Sequence, residues 1–302
     1  MGQPTPSSMQ RASEQLAPEQ LVPKQLVPKQ LAPKQLAPKQ KAPKINVFAV
    51  VVLSYILVIL FSAPYLSQHL ILPEQTTVAN KSAAIPDFAA ITSIRERKSV
   101  FFAYFTPLVA MENLRLLQQR QQLIKLRRYL MAKHTPSIYQ KTLITQLAHR
   151  FKVEMGSKHL LDITNALLNR VDAIPVSMVL AQAAIESAWG TSRFARQGNN
   201  YFGLWCFSKG CGLIPQRRHN GFNHEVRSFD TVPKGISAYF HNINTHKAYV
   251  KLRSLRALMR QSQQALDGEI LVAGLEHNSE RGQIYVEELR AIIHSNGLGQ
   301  GN

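Results

Sequence analysis

Three regimes of hydrophobic patterning follow one another along the chain. In the first, residues 1–44, large apolar side chains are sparse, and from Gln15 to Lys44 a five-residue unit repeats as QLAPE, QLVPK, QLVPK, QLAPK, QLAPK, QKAPK. A proline in every unit removes a backbone donor and pushes the residue before it out of the helical region. The prediction is an extended, disordered repeat tail, with a docking arm for a partner as the alternative use. The second regime is residues 45–63, INVFAVVVLSYILVILFSA, nineteen positions without a charge. At 1.5 Å per residue this run reaches about 28 Å, close to the hydrocarbon thickness of a bilayer, so a single transmembrane helix is predicted. Arg11 and six lysines precede it, and no lysine or arginine follows before Lys81. By the positive-inside rule the N terminus is then cytoplasmic and the rest of the chain lies outside. A cleaved signal peptide is the competing reading, but its charged leader is too long, and Pro64 stands where cleavage would fall.

The third regime has the period of packed helices. After a polar linker, residues 64–85, the stretch 86–135 reads as a membrane-proximal region of two helices. Ile91, Ile94, Phe101, Phe102 and Phe105 mark the first, and Leu114, Leu117, Leu123, Leu126 and Leu130 the second. A domain is expected over 136–302. Residues 137–151 and 157–171 carry helical stripes, with Asp162 and Asp172 expected as caps or surface charges. Pro175 then opens a third helix, being pre-set for a first turn. Its stripe is Val176, Val179, Leu180, Ala183 and Ala184. Leu204 to Phe207 and Glu225 to Phe229 are short enough to pair as a β-hairpin. Residues 232–246 and 251–264 complete a helical shell, with Asn242 and Asn244 expected to line a groove. The fold class is mainly α, of the α+β kind.

Charge and cysteines narrow the partners. The formal net charge is +18, and only seven of the 36 basic residues lie in the tail. Such an excess attracts polyanions. With the domain outside the cytoplasm, and without a helix-turn-helix or metal-finger spacing, nucleic acid is not expected; acidic lipid or an anionic cell-wall polymer fits the sign. Cys206 and Cys211 are the two cysteines. In an oxidising compartment a local disulfide is the expectation, with free thiols as the alternative. Ten histidines are present, none at a metal-ligand spacing, so neither a metal nor a cofactor is expected.

Candidate chemistry concentrates in residues 175–203. Glu186 ends the apolar stripe, and its neighbours Ile185, Ala188 and Trp189 do little to solvate a carboxylate. Desolvation raises such a pKa, and a carboxyl that holds its proton near neutrality can act as a general acid. The plain alternative is a surface glutamate at a helix end. Gly190 can stop the helix, and Thr191 and Ser192 can cap the next one. Asn199, Asn200, Tyr201 and Phe202 then make an amide- and aromatic-rich turn suited to sugar hydroxyls and pyranose faces.

The run AAIESAWGTSRFARQGNNYFGLW resembles the signature of bacterial cell-wall glucosaminidases, glycoside hydrolase family 73, in which a helix ends in Glu-Ser, Gly and Ser follow, and Asn-Asn-x-Phe-Gly comes next. FDTVPKGISAYFHNINTHKAY and YVEELRAIIHSN are similar to the family's next segment and closing helix, so that the likeness spans about residues 140–297. The resemblance implies a lysozyme-like helical domain with a small β-hairpin lobe. It also implies hydrolysis of the β-1,4 bond after N-acetylglucosamine in peptidoglycan, with Glu186 as general acid. Asn199, Asn200, Tyr201, Phe202 and Tyr285 would bind the sugar, packing being the plain alternative for the tyrosines. The family's second acid lies in the β-rich lobe, a place Glu225 occupies here, though nearer the Phe229 segment than the family pattern has it.

Three routes for the second group stay open. Glu225 as base on a water requires carboxyl groups about 6.5–9.5 Å apart, and as nucleophile about 5–5.5 Å; otherwise the substrate's own acetamido oxygen attacks. Two other classes remain in view: a non-catalytic membrane-anchored wall-binding or scaffold protein, and a lytic transglycosylase.

Overall fold

The computed structural model describes residues 84–216, 221–278 and 281–300. The repeat tail, the charge-free run 45–63 and most of the linker therefore lie outside the described residues. Ser93 accepts the Glu96 N–H and opens α1 (Ile94–Met131), a single helix of 38 residues where two were predicted. Pro107 lies inside it, at a cost of about 3 kcal/mol from a missing donor and a crowded preceding turn. The helix continues because Phe101, Phe105, Val109, Leu116, Leu123 and Leu126 form one buried stripe that runs straight through the proline. A break at 107 would split that stripe into two faces. By length and composition alone α1 is also, among the described residues, the one helix able to cross a membrane; its stripe belongs to the same core as the residues beyond 136.

Ser137 and Gln140 form a reciprocal capping box and start α2 (Ile138–Arg150). Next come α3 (Leu160–Arg170) and α4 (Val176–Glu186). The sequence shows one apolar stripe on α4, but the structure buries every side from Ser177 to Ala184. It is the central helix, packed against α1 on one side and, on another, against the short α8 (Gly268–Leu271) and α9 (Gln283–Ser295). The shell is completed by α6 (Val232–Thr245) and α7 (Val250–Gln261), with α5 (Arg193–Gly198) a short turn after the central helix.

Asp172, expected as a cap or surface charge, is 2% exposed in the α3–α4 link. Arg260 holds both of its oxygens, at 2.8 and 3.1 Å, and Arg120 approaches to 3.3 Å. The buried Arg256 donates to the carbonyls of Asn169, Arg170, Asp172 and Ala173, while Arg120 donates to those of Leu168 and Val171. Arginines thus satisfy the orphan carbonyls at the α3 C terminus and offset its negative dipole end. This knot joins α1, α3 and α7 and fixes where α4 begins. Asn244, expected to line a groove, is also buried, its amide nitrogen donating to the Asp172 carbonyl.

The small lobe holds three strands in the order β1 (Trp205–Cys206), β3 (Glu225–Arg227), β2 (Gly212–Leu213). The expected pairing of β1 with β3 is present, antiparallel, with Trp205 opposite Val226 and Cys206 opposite Glu225. β2 adds a second antiparallel partner on the other edge of β3.

Candidate active site

The Glu-Ser-x-x-Gly run is a way of stopping a buried helix abruptly while leaving its last carboxyl accessible. The Ser187 hydroxyl donates to the Ala183 carbonyl and accepts the Gly190 N–H at 2.8 Å, stapling the last turn to the chain that leaves it. Ala188, Trp189 and Gly190 are all left-handed, at φ 50°, 59° and 79°. Two of these three are not glycine, at a strain of about 1–2 kcal/mol each. At Gly190 no side chain fits, because a Cβ would stand 2.4 Å from the Phe88 ring. Trp189, expected beside the carboxyl, packs against Phe101 and Phe102 under the Lys98 ammonium.

The Asn-Asn-Tyr-Phe-Gly turn is built from its own side chains. Asn199 takes the left-handed conformation that ends α5, and its amide donates to the Phe229 carbonyl at 2.8 Å. Asn200 is 1% exposed; its nitrogen serves the carbonyls of Leu204 and Arg227 while its oxygen accepts the N–H groups of Phe202 and Leu204. Tyr201 is buried among Phe88, Phe101 and Phe105, and Phe202 stacks on Tyr239 with ring centres 4.1 Å apart. Asn200 and Tyr201 therefore have a task other than the sugar contact expected of them. They hold the turn rigid, and Gly203 is delivered to the carboxyl: a Cβ there would lie 3.4 Å from Glu186 Oε2.

Glu186 keeps an exposed side toward solvent while its carboxyl is largely enclosed by protein. Oε1 accepts the Tyr285 hydroxyl proton at 2.8 Å. Behind it a directed chain runs through the core: the Tyr239 hydroxyl donates to Gln182 Oε1, and Gln182 Nε2 donates to the Tyr285 oxygen at 3.1 Å. In this orientation the amide of Gln182 serves both tyrosines, and the Tyr285 hydroxyl, having accepted from Gln182, donates its own proton to Glu186. Burial raises the Glu186 pKa; the Tyr285 hydrogen bond and the positive charge of Arg281 oppose that shift without cancelling it. The surrounding tyrosines move up as well, mainly through burial and further through the Glu186 charge. Tyr249 is pushed up to about 12 and Tyr285 beyond the usual range, so both remain protonated. Arg281 lies over the Tyr285 ring and pairs with Glu288.

Glu225 is placed differently. It is 4% exposed, and its two oxygens accept the Gly210 and Gly212 N–H groups at 2.9 and 2.8 Å. Cys206 and Cys211 are joined in a disulfide, with Cα atoms 6.2 Å apart. The carboxylate and the disulfide thus close one loop from two sides. The sulfur atoms and the carboxylate lie within 4.8 Å of one another, but the disulfide occupies both sulfurs. Sequence reasoning missed Gln182, whose signal was its position four residues before Glu186 on the same helical face, a lone amide in an apolar run. The connection from Tyr239 to Tyr285 left no mark in the sequence.

The helical domain thus sets a tyrosine-bound carboxyl, its pKa raised by burial, beside an asparagine-framed turn. The family described as "Glucosaminidase: Mannosyl-glycoprotein endo-beta-N-acetylglucosaminidase" matches residues 162–298, and the chain belongs to this glucosaminidase family of glycoside hydrolases. It is 32% identical over 216 residues to Protein bax of Escherichia coli (strain K12), across 72% of this chain and 76% of that protein. The catalytic domain of the autolysin Auto from Listeria monocytogenes aligns over 59% of this chain and 96% of its own length, at 18% identity and a TM-score of 0.34.

Proposed function

We propose that the domain hydrolyses the β-1,4 bond after N-acetylglucosamine in peptidoglycan glycan strands, with Glu186 as general acid. One observation carries the reading: the acid whose pKa burial raises is hydrogen-bonded through one oxygen to Tyr285 and lies, through the other, beside Gly203 of the asparagine-framed turn. With Oε1 engaged, Oε2 carries the proton. It passes to the leaving oxygen as the bond to the anomeric carbon breaks. Because both Glu225 oxygens are held by loop amides, the substrate's 2-acetamido oxygen is the better candidate to attack the anomeric carbon. Water then opens that intermediate, and Glu186, now a carboxylate, takes a proton back. Glu225 as base or nucleophile is the alternative, and it requires the carboxylate to leave the loop.

Residues 45–63 are proposed as an inner-membrane anchor with a cytoplasmic N terminus and a periplasmic domain. The charge-free run, the basic residues before it and the disulfide in the domain support that side. The full chain, purified in detergent and incubated with intact sacculi, should release fragments ending in reducing N-acetylglucosamine by mass spectrometry. Glu186→Gln should lower the release about 10²–10⁴-fold; release at the wild-type rate refutes the assignment. Glu186 acting without a second carboxylate also suits a lytic transglycosylase, in which case the fragments carry an anhydro end. Binding to sacculi without any cleavage would leave the anchored scaffold.

A further inference from the structure

The one face of the β-lobe that the chemistry above leaves unused is aromatic. Trp205 is 57% exposed, and its ring is stacked on that of His224, centres 4.1 Å apart and planes at 16°. One face of the indole is therefore covered and braced, and its exposure is on the other. Phe222, 56% exposed, meets His224 edge-on at 5.8 Å. The backbone beneath is held at every point: Trp205 pairs with Val226, Cys206 is tied by the disulfide, and Leu204 is clamped through its N–H and carbonyl by Asn200 and through its carbonyl again by the Arg227 N–H. Trp205 follows two residues after Gly203, which lies beside Glu186 Oε2. Two residues of extended chain span at most about 7 Å, so the strand that carries the platform starts close to the acid.

We infer that the solvent face of Trp205 is a sugar-binding subsite next to the cleavage point, on which the apolar face of an N-acetylhexosamine ring of the glycan strand stacks. An exposed indole braced from behind loses little freedom when a flat apolar face covers it, and its π-face matches the axial C–H groups of a pyranose. A merely solvated tryptophan needs neither the histidine behind it nor a strand fixed by a disulfide. The inference rests on the hydrolase reading for the identity of the ligand, but on geometry for the surface.

The test uses the full chain in two backgrounds. In Glu186→Gln, which leaves the ligand intact, β-1,4-linked N-acetylglucosamine oligomers are titrated while tryptophan emission is followed. The chain has two tryptophans, and Trp189, packed between phenylalanines, serves as the internal reference. Quenching that vanishes in Trp205→Ala is expected. In the active chain Trp205→Ala should raise KM roughly three- to tenfold, the range of one aromatic stacking contact, with kcat within twofold, and Trp205→Phe should recover most of the loss. Unchanged affinity and KM in Trp205→Ala, with the wild type still cleaving, overturns the subsite and leaves the hydrolase reading standing. Loss of oligomer binding in Trp205→Ala, in a wild type that never cleaves, keeps the subsite and sinks the hydrolase. A fall confined to kcat, or equal in Ala and Phe, indicates a disturbed strand and also overturns it.

Discussion

Tyr285→Phe is the sharpest probe of the site because it deletes one oxygen that two buried groups use. In the wild type that oxygen donates to Glu186 Oε1 at 2.8 Å and accepts Gln182 Nε2 at 3.1 Å. A hydrogen bond to an ionised group contributes about 1.5–3 kcal/mol, and the exposed side of Glu186 places this one at the lower end. The bond favours the carboxylate, so its loss favours the acid form and moves the Glu186 pKa further up. The limb of the pH–rate profile on which activity falls with rising pH should therefore shift to higher pH, while kcat at its optimum drops because the carboxyl is no longer oriented. Separately, the buried Gln182 amide keeps Tyr239 but loses its acceptor, at a cost of about 1–3 kcal/mol. For a domain of this size each kcal/mol lowers Tm by about 2–4 °C. The assays are product release against pH and thermal unfolding by circular dichroism. A limb that stays in place or moves to lower pH, together with an unchanged Tm, would show that the Tyr239–Gln182–Tyr285–Glu186 chain plays no part.

Glu186→Gln should unfold at a temperature at least as high as wild type at neutral pH. The raised pKa means the native wild type binds a proton more tightly than the unfolded chain, so wild-type stability falls as pH rises through the carboxyl range toward the folded value. The difference between the two proteins should close on acidification below the unfolded glutamate pKa, which paired melts across pH would show. Asp172→Ala strands Arg120, Arg256 and Arg260 around an empty centre, a loss of about 3–5 kcal/mol; a urea midpoint within error of wild type would contradict the buried knot. Cys206→Ser with Cys211→Ser opens a short loop worth about 2 kcal/mol on chain-entropy grounds. Because the bridge restrains the unfolded chain, its loss should lower the global Tm by about 4–8 °C, with Glu225 still gripping Gly210 and Gly212 in the native loop; a melting temperature equal to wild type would contradict this.

How far the fold and site could be read in advance depended on the range of the interactions involved. The sequence by itself determined what neighbouring residues settle. Ser137 and Gln140 announce a helix start, Ser187 and Gly190 an abrupt stop, and Asn199 to Gly203 a turn in which the Asn200 side-chain oxygen takes up the Phe202 and Leu204 N–H groups, since these partners lie within a few residues; the Asn199 and Asn200 amides also reach the distant carbonyls of Phe229 and Arg227. The pairing of β1 with β3 was legible too, although Trp205 and Val226 lie 21 positions apart, because both runs are short and extended. Tertiary structure decided what depends on distant packing. Only the core could show that the stripe on α1 outweighs Pro107, or that α4 is buried on all sides rather than one. Asp172 and Glu225 look alike in sequence as isolated acids, yet one anchors three arginines and the other closes a loop. The proton of Glu186 is governed by Tyr285, 99 positions away, and through Gln182 by Tyr239. Local chemistry sets which conformations a segment prefers, whereas desolvation and hydrogen-bond direction depend on which remote side chains fill the space around a group.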